Sequence, residues 1–280
     1  MAIIWQFTEG QTNYQVRSAG ATLRLYTNGA FHSQYNPNHL FTGGIWDLLA
    51  VPAFYSGTFC SSAFYTSPSA SKTVYPGNRQ ETDAAQTAPT LSGSGQNLLV
   101  LGVGGGAVIH LFNELFDYPA TTGIEYDRNH LRVANRFFKC GTPNTRLIHA
   151  DAYQWIKESV TQFSVVIDDL FVDGPDDPVR PRAVNRQWMK KLDLQLKHDG
   201  LLIQNHLSPV TARSVANDSW VQDHFQSALL FHHPNYANGI LALYKDSVDI
   251  RSGRKQLQKR LSDHPASSLK RLKFRVETVF

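Results

Sequence analysis

Four short stretches hold the residues able to do chemistry. Leu98-Leu99-Val100-Leu101-Gly102-Val103-Gly104-Gly105-Gly106-Ala107 reads as a strand, a glycine loop and the start of a helix. Glycines let the backbone turn tightly and approach a ligand closely, and a helix N-terminus offers unpaired N–H groups. Gly102, Gly104 and Gly106 are therefore candidate cofactor contacts. Such loops also serve NAD, FAD and purely structural turns, so the loop alone decides nothing.

The two acids that follow narrow the choice. Glu125, in Gly123-Ile124-Glu125-Tyr126-Asp127, ends a second apolar run, where an acid accepts hydrogen bonds from both ribose hydroxyls of an adenosine. Asp151, in Ile148-His149-Ala150-Asp151-Ala152, ends a third run and, with Ala152, is placed to meet an adenine amino group. Either acid alone also reads as a helix N-cap. Glycine loop and two acids at three consecutive strand ends favour S-adenosylmethionine over NAD, because nicotinamide enzymes do not usually place an acid after the third strand.

The fourth stretch is Val166-Ile167-Asp168-Asp169-Leu170-Phe171-Val172-Asp173-Gly174. Asp169 and Asp168 are its candidate catalytic residues, as a general base toward a nucleophile or as groups that orient it. The next residues, 174–181, are too rich in Pro and Gly for helix or strand and are expected to cover the acceptor site. Asp176 and Asp177 read as solvated turn residues.

These residues need a scaffold, and the hydrophobic pattern supplies one. From Asn97 onward short apolar runs alternate with helical stretches, the signature of a parallel sheet with covering helices. The runs are Leu98 to Leu101, Thr121 to Ile124, Arg146 to His149, Phe163 to Ile167 and Leu201 to Ile203, with Ala228 to Phe231 and Ile240 to Tyr244 closing the sheet. The first 40 residues alternate as half-buried strands do, over Ile3 to Thr8, Tyr14 to Ser18, Thr22 to Tyr26 and Ala30 to Gln34. Asn28-Gly29 between the last two is a hairpin signal, since both residues tolerate positive φ. Gly44 to about Tyr65 reads as helical, bent or started by Pro52. The expected organisation is a small N-terminal β-domain plus helix (1–66), a polar linker or lid (67–96), a Rossmann-like nucleoside-binding domain (97–248) and a basic C-terminal extension (249–280).

Composition excludes several classes. With 280 residues, 42% of them hydrophobic, the chain has a substantial core to bury. Its two cysteines, Cys60 and Cys140, form neither a disulfide framework nor a CxxC site. His232 and His233 are adjacent and cannot share one strand face, no HExxH occurs, and no metal site is expected. Neither a Gly-x-Ser-x-Gly elbow nor a Walker lysine appears, against hydrolase and NTPase classes. Without a signal-like start or a spanning segment, the protein is expected to be soluble and cytoplasmic. The formal charge of +4 is concentrated after Asp249, where nine Lys or Arg face three acids. Such a tail attracts nucleic acid or acidic surfaces; the favoured reading is a solvated amphipathic helix with Leu257 and Leu261 facing inward.

The stretch from Leu98 to His206, together with Leu25 to Gln34 ahead of it, resembles the spermidine synthase-like (polyamine aminopropyltransferase) family. The resemblance implies a seven-stranded, mostly parallel methyltransferase-type sheet beside a small antiparallel β-domain, often in a homodimer. It assigns ribose binding to Glu125 and adenine contact to Asp151, and makes His32 and Gln34 candidates near the cofactor tail. The chain departs from the family pattern where the amine is held. Gly105 stands where the family loop has aspartate, Leu170 and Phe171 replace small polar residues after Asp169, and Gly43-Gly44-Ile45-Trp46-Asp47 replaces a Tyr-His-Glu segment. A dication needs several acids around it, because desolvating unpaired ammonium groups is costly. Only Asp168, Asp169 and Asp173 remain for that. The expectation is a transferase that moves a methyl group from S-adenosylmethionine to a small molecule. The alternatives are aminopropyl transfer from decarboxylated S-adenosylmethionine to a polyamine, and a non-catalytic nucleoside- or RNA-binding protein.

Overall fold

A computed structural model of the chain describes residues 1–57, 96–116, 119–172, 174, 178–262 and 269–280. Most of the expected 67–96 linker, and Asp173, Asp176 and Asp177, lie outside the described residues.

The N-terminal strands β1 (Ala2–Glu9), β2 (Thr12–Ala19), β3 (Thr22–Thr27) and β4 (Ala30–Tyr35) form an antiparallel meander in that order. Asn28 and Gly29 join β3 to β4 with φ of 49° and 86°, as a two-residue hairpin turn requires. Alternation buries Tyr14, Val16 and Leu25, while β1 is the exposed edge. The helical stretch that follows divides at Pro52 into α1 (Asp47–Ala50) and a 3-10 turn (Val51–Tyr55), with every residue buried.

The larger sheet contains β5 (Asn97–Leu101), β6 (Ala120–Glu125), β7 (Thr145–His149), β8 (Phe163–Asp168), β9 (Leu196–His206), β10 (Ser227–His232), β11 (Gly239–Tyr244) and β12 (Arg275–Thr278). Their spatial order is β12-β10-β11-β9-β8-β5-β6-β7, with β5 to β9 parallel and the last three antiparallel. Seven strands give the methyltransferase order expected from the resemblance. The eighth, β12, comes from the stretch expected to be a basic extension: Leu272, Phe274 and Val276 pack on the core in alternation with exposed Lys273 and Arg275, a strand period rather than a helical one.

The central strands are apolar on both faces because helices cover both. Leu98, Val100, Val165 and Ile167 pack with α2 (Ala107–Leu115), α3 (Arg128–Arg136) and α8 (Ile250–Leu261). Leu99, Leu101 and Val166 face α4 (Ala152–Glu158), α5 (Arg186–Leu194), α6 (Pro209–Ala216) and α7 (Ser219–His224). Leu257 and Leu261 of α8 are buried, and its Gly253 leaves no room for a Cβ against the Tyr55 ring. Among the described residues no helix is long and apolar enough to cross a membrane.

Candidate active site

The parallel strands run to one edge of the sheet, and the connections diverge there between β5 and β8. Ligands of open α/β sheets bind outside the strand ends at such a switch point. A cavity of about 600 Å³ lies at this place, walled by the ends of β5 to β9 on one side and by Phe31 and His32 of β4 with Ile45 and Trp46 just before α1 on the other.

Its floor is the glycine loop. Gly102 and Gly104 have φ of 84° and 54° and both line the cavity. A Cβ on Gly102 would overlap the Asp169 carbonyl, so glycine here lets the β5 and β8 ends come together. Gly106, expected to touch cofactor, does not line the cavity. It precedes α2 and packs on the buried Cys140 thiol, so its role is helix-to-core packing.

Glu125 is 8% exposed and lines the cavity. Its Oε2 accepts from the backbone N–H of Val103 (2.9 Å) and Gly104 (2.8 Å), and Oε1 accepts from that of Asp127 (2.9 Å). His130 approaches Oε1 at 3.7 Å, while its Nε2 lies 2.8 Å from Thr27 Oγ1. Burial alone would push the carboxyl up; the hydrogen bond and charge of His130, with the Asp127 and Gly104 amides, outweigh it and hold Glu125 below the usual range. It is ionised and already bound to the loop that would carry a ligand.

Asp151 caps α4, accepting from Tyr153 N–H at 2.7 Å, and also lines the cavity beside Ala152. One oxygen suffices for the cap, and among the described residues the other has no partner. N-cap and ligand acceptor are compatible roles for one carboxylate.

Asp168 and Asp169 separate completely. Asp168 is fully buried and does not line the cavity. Arg180 Nη2 donates to its Oδ1 (2.7 Å), and Trp188 Nε1 (3.0 Å) and Gln204 Nε2 (2.9 Å) donate to Oδ2. Fully buried behind those three donors, the carboxylate lies under the cavity floor, where it anchors Arg180, Trp188 and Gln204. Asp169, one residue on and half-buried, lines the cavity; Asn205 Nδ2 donates to its Oδ1 at 2.8 Å. Burial pushes Asp169 up to about 6, only partly offset by the Asn205 bond and the Arg180 charge.

His32 lines the cavity, its ring 5.0 Å from that of His130. Gln34 does not. Pairing of Tyr26 with Phe31 and of Leu25 with Ser33 makes His32 an extra, bulged residue, so the period-2 face shared by residues 32 and 34 is broken there. Gln34 is engaged away from the cavity, accepting from Arg24 Nε (2.7 Å) and donating to the Thr42 carbonyl (3.0 Å).

Several site residues escape sequence reasoning. Tyr236 and Asn238, between β10 and β11, reach the cavity, and Asn238 Nδ2 donates to Asn205 Oδ1 at 2.9 Å. Phe31 and Trp46 meet edge-on at 4.9 Å as part of an aromatic wall. Arg180 ties the segment covering the site to the β8 and β9 ends, through Asp168 and the Asn205 carbonyl (2.8 Å). No local pattern marks these residues, because each acts across a long sequence separation.

No protein-family model and no curated protein sequence matches the chain. Solved structures do. A probable spermidine synthase from Corynebacterium glutamicum superposes with a TM-score of 0.64 at 14% identity, covering 99% of this chain and 91% of its own. A spermidine synthase in complex with the transition-state analogue AdoDATO gives 0.58 at 14% identity, over 90% and 76%. Human methyltransferase-like protein 13 in complex with SAH gives 0.52 at 19% identity, over 61% and 84%. The chain has the spermidine synthase-like variant of the S-adenosylmethionine methyltransferase fold.

Proposed function

We propose that the cavity binds S-adenosylmethionine and that the protein is a transferase passing its methyl group to a small molecule. The observation that carries this reading is that Glu125, Asp151 and the Gly102–Gly104 backbone line one cavity with Asp169. The donor set fits the ligand: a carboxylate has about four acceptor positions, and Asp151, which spends one on its helix cap, retains capacity for an adenosine donor, while Glu125 holds the glycine loop that would face the ligand.

S-adenosylmethionine, when bound, supplies a methyl group activated on a sulfonium. The protein's part is to hold the acceptor in line with that methyl carbon, exclude water and take up the acceptor's proton. Asp169 is the group for the proton: it is the cavity-lining acid at the β8 end, and among the described residues its Oδ2 has no partner. Asn205, held by Asn238, fixes the carboxylate's orientation. Phe31, Trp46 and Tyr236 supply an apolar wall that favours a small acceptor with limited charge.

Formation of S-adenosylhomocysteine with a panel of small acceptors, lost in Asp169→Asn while ligand binding persists, is the expected result. Absence of S-adenosylmethionine and S-adenosylhomocysteine binding at millimolar ligand would remove the reading. The second reading, aminopropyl transfer, draws on the near full-length likeness to spermidine synthases. Turnover of decarboxylated S-adenosylmethionine with putrescine or spermidine would replace methyl transfer by it.

A further inference from the structure

Of the glycine loop, Gly102, Val103 and Gly104 reach the cavity, and the N–H groups of all three are already spent. Gly102 donates to the Ile124 carbonyl at 2.9 Å, and Val103 and Gly104 donate to Glu125 Oε2. The start of α2 is turned into the core. Gly105, Gly106 and Ala107 do not line the cavity, and a Cβ on Gly105 would stand 2.8 Å from Ser33 Cβ. A glycine loop before a helix is ordinarily an anion cradle. Here its backbone has no donor to offer, so an anion over this floor needs a side chain.

Among the described residues that line the cavity, those able to carry positive charge are His32, His130 and Arg182. Arg182 sits over the Tyr153 ring at 4.3 Å, at the Asp151 end. His130 is buried between Thr27 Oγ1 (2.8 Å) and Glu125 Oε1 (3.7 Å). His32 stands over the loop itself, since a Cβ on Gly104 would lie 3.3 Å from the His32 carbonyl oxygen. The bulge in β4 sets this place: Tyr26 pairs with Phe31 and Leu25 with Ser33, and the extra residue is re-aimed, as bulges beside binding sites do.

We infer that His32 is a specificity-determining residue that recognises the carboxylate of the ligand's amino-acid tail, and so separates S-adenosylmethionine from its decarboxylated form. This rests on the proposal that the cavity holds an adenosyl ligand. With adenine at Asp151 and ribose at Glu125, the ligand runs from the β7 end to the β6 end, and β5 is the next strand. The tail then crosses Gly102 to Gly104 beneath His32. A carboxylate there is costly to desolvate without a donor, and an imidazole N–H supplies a charge-assisted bond.

Calorimetry of the full chain with S-adenosylmethionine and with decarboxylated S-adenosylmethionine tests this, because the ligands differ only at that carboxylate. The wild type should prefer the carboxylated ligand. His32→Phe keeps a flat ring without N–H groups and should cut the preference by about tenfold or more, the scale of a hydrogen bond to a charged group. Its affinity for the decarboxylated ligand should stay close to wild type, which also shows that the cavity is intact. His32→Gln, which keeps an N–H donor, should regain part of the preference. An unchanged preference in His32→Phe, an equal loss of both ligands, or a wild type that prefers the decarboxylated ligand overturns the inference and leaves the adenosyl site standing. No binding of either ligand to the wild type overturns the adenosyl site, and this inference with it.

Discussion

Asn205 Nδ2 donates to Asp169 Oδ1 at 2.8 Å, and Asn205 Oδ1 in turn accepts from Asn238 Nδ2 at 2.9 Å. The chain of three side chains sets which way the Asn205 amide faces, and thereby orients the Asp169 carboxylate, to which the proposed function gives the acceptor's proton. Asp169→Asn should lower turnover by about 10²-fold or more, within the span of general-base contributions. Its affinity for S-adenosylhomocysteine should stay within a few-fold, measured by calorimetry. Asn238→Ala should lower kcat less and leave KM for S-adenosylmethionine unchanged.

Asp169 is pushed up to about 6 by burial, so in the proposed role of base it is protonated, and unable to take a proton, below that value. The rate should rise with pH through about 6 and level above it. The same sign governs stability. A carboxyl raised in the folded state favours folding while it is protonated, and this contribution is lost as pH rises through the folded value. Asp169→Asn should therefore melt at or above the wild-type temperature at pH 8, and a lower melting temperature there would contradict the assignment.

Asp168 carries the opposite sign. Its burial would raise it, but the Arg180 charge, with bonds from Trp188, Arg180 and Gln204, outweighs that and holds it below its ordinary 3.8. Its contribution to stability is present above the unfolded value and is lost as pH falls through the folded one. Asp168→Asn leaves the Arg180 guanidinium buried without its counter-charge, a loss of about 3–5 kcal/mol when a buried pair is broken. Denaturant unfolding at pH 7 should show this loss. Asp168 would be reassigned to chemistry if the variant lost activity while unfolding normally.

Legibility followed range. The glycine loop, Glu125, Asp151 and all seven strands of the methyltransferase order are written in local patterns of apolar runs and strand-end acids. Asp168 and Asp169 are adjacent, and only the partners brought in by Arg180, Trp188, Gln204 and Asn205 decide which is buried. Gln34 lies outside the cavity beyond a one-residue bulge at His32, which no composition signal marks. β12 follows a basic amphipathic helix, and the short alternation from Leu272 to Val276 is masked by the charge shared with that helix. Tyr236 and Asn238 enter from a turn more than 80 residues beyond Asp151, where position in sequence says nothing about the cavity.

Asp151 separates its two roles by substitution. Asparagine caps a helix as well as aspartate does, so Asp151→Asn should unfold within about 0.5 kcal/mol of wild type. Its affinity for an adenosyl ligand should nonetheless fall several-fold, because an amide oxygen is a weaker acceptor than a carboxylate. Equal loss of stability and affinity would mean that the cap is its whole function.

The most direct test is calorimetric titration of the wild type and of Glu125→Ala with S-adenosylmethionine and with its decarboxylated form. The expected result is single-site binding to the wild type, weakened at least tenfold in Glu125→Ala, with the carboxylated ligand preferred. Preference for the decarboxylated ligand would transfer the site to aminopropyl chemistry. No binding of either ligand at millimolar concentration, or equal affinity in Glu125→Ala, would contradict the assignment of this cavity.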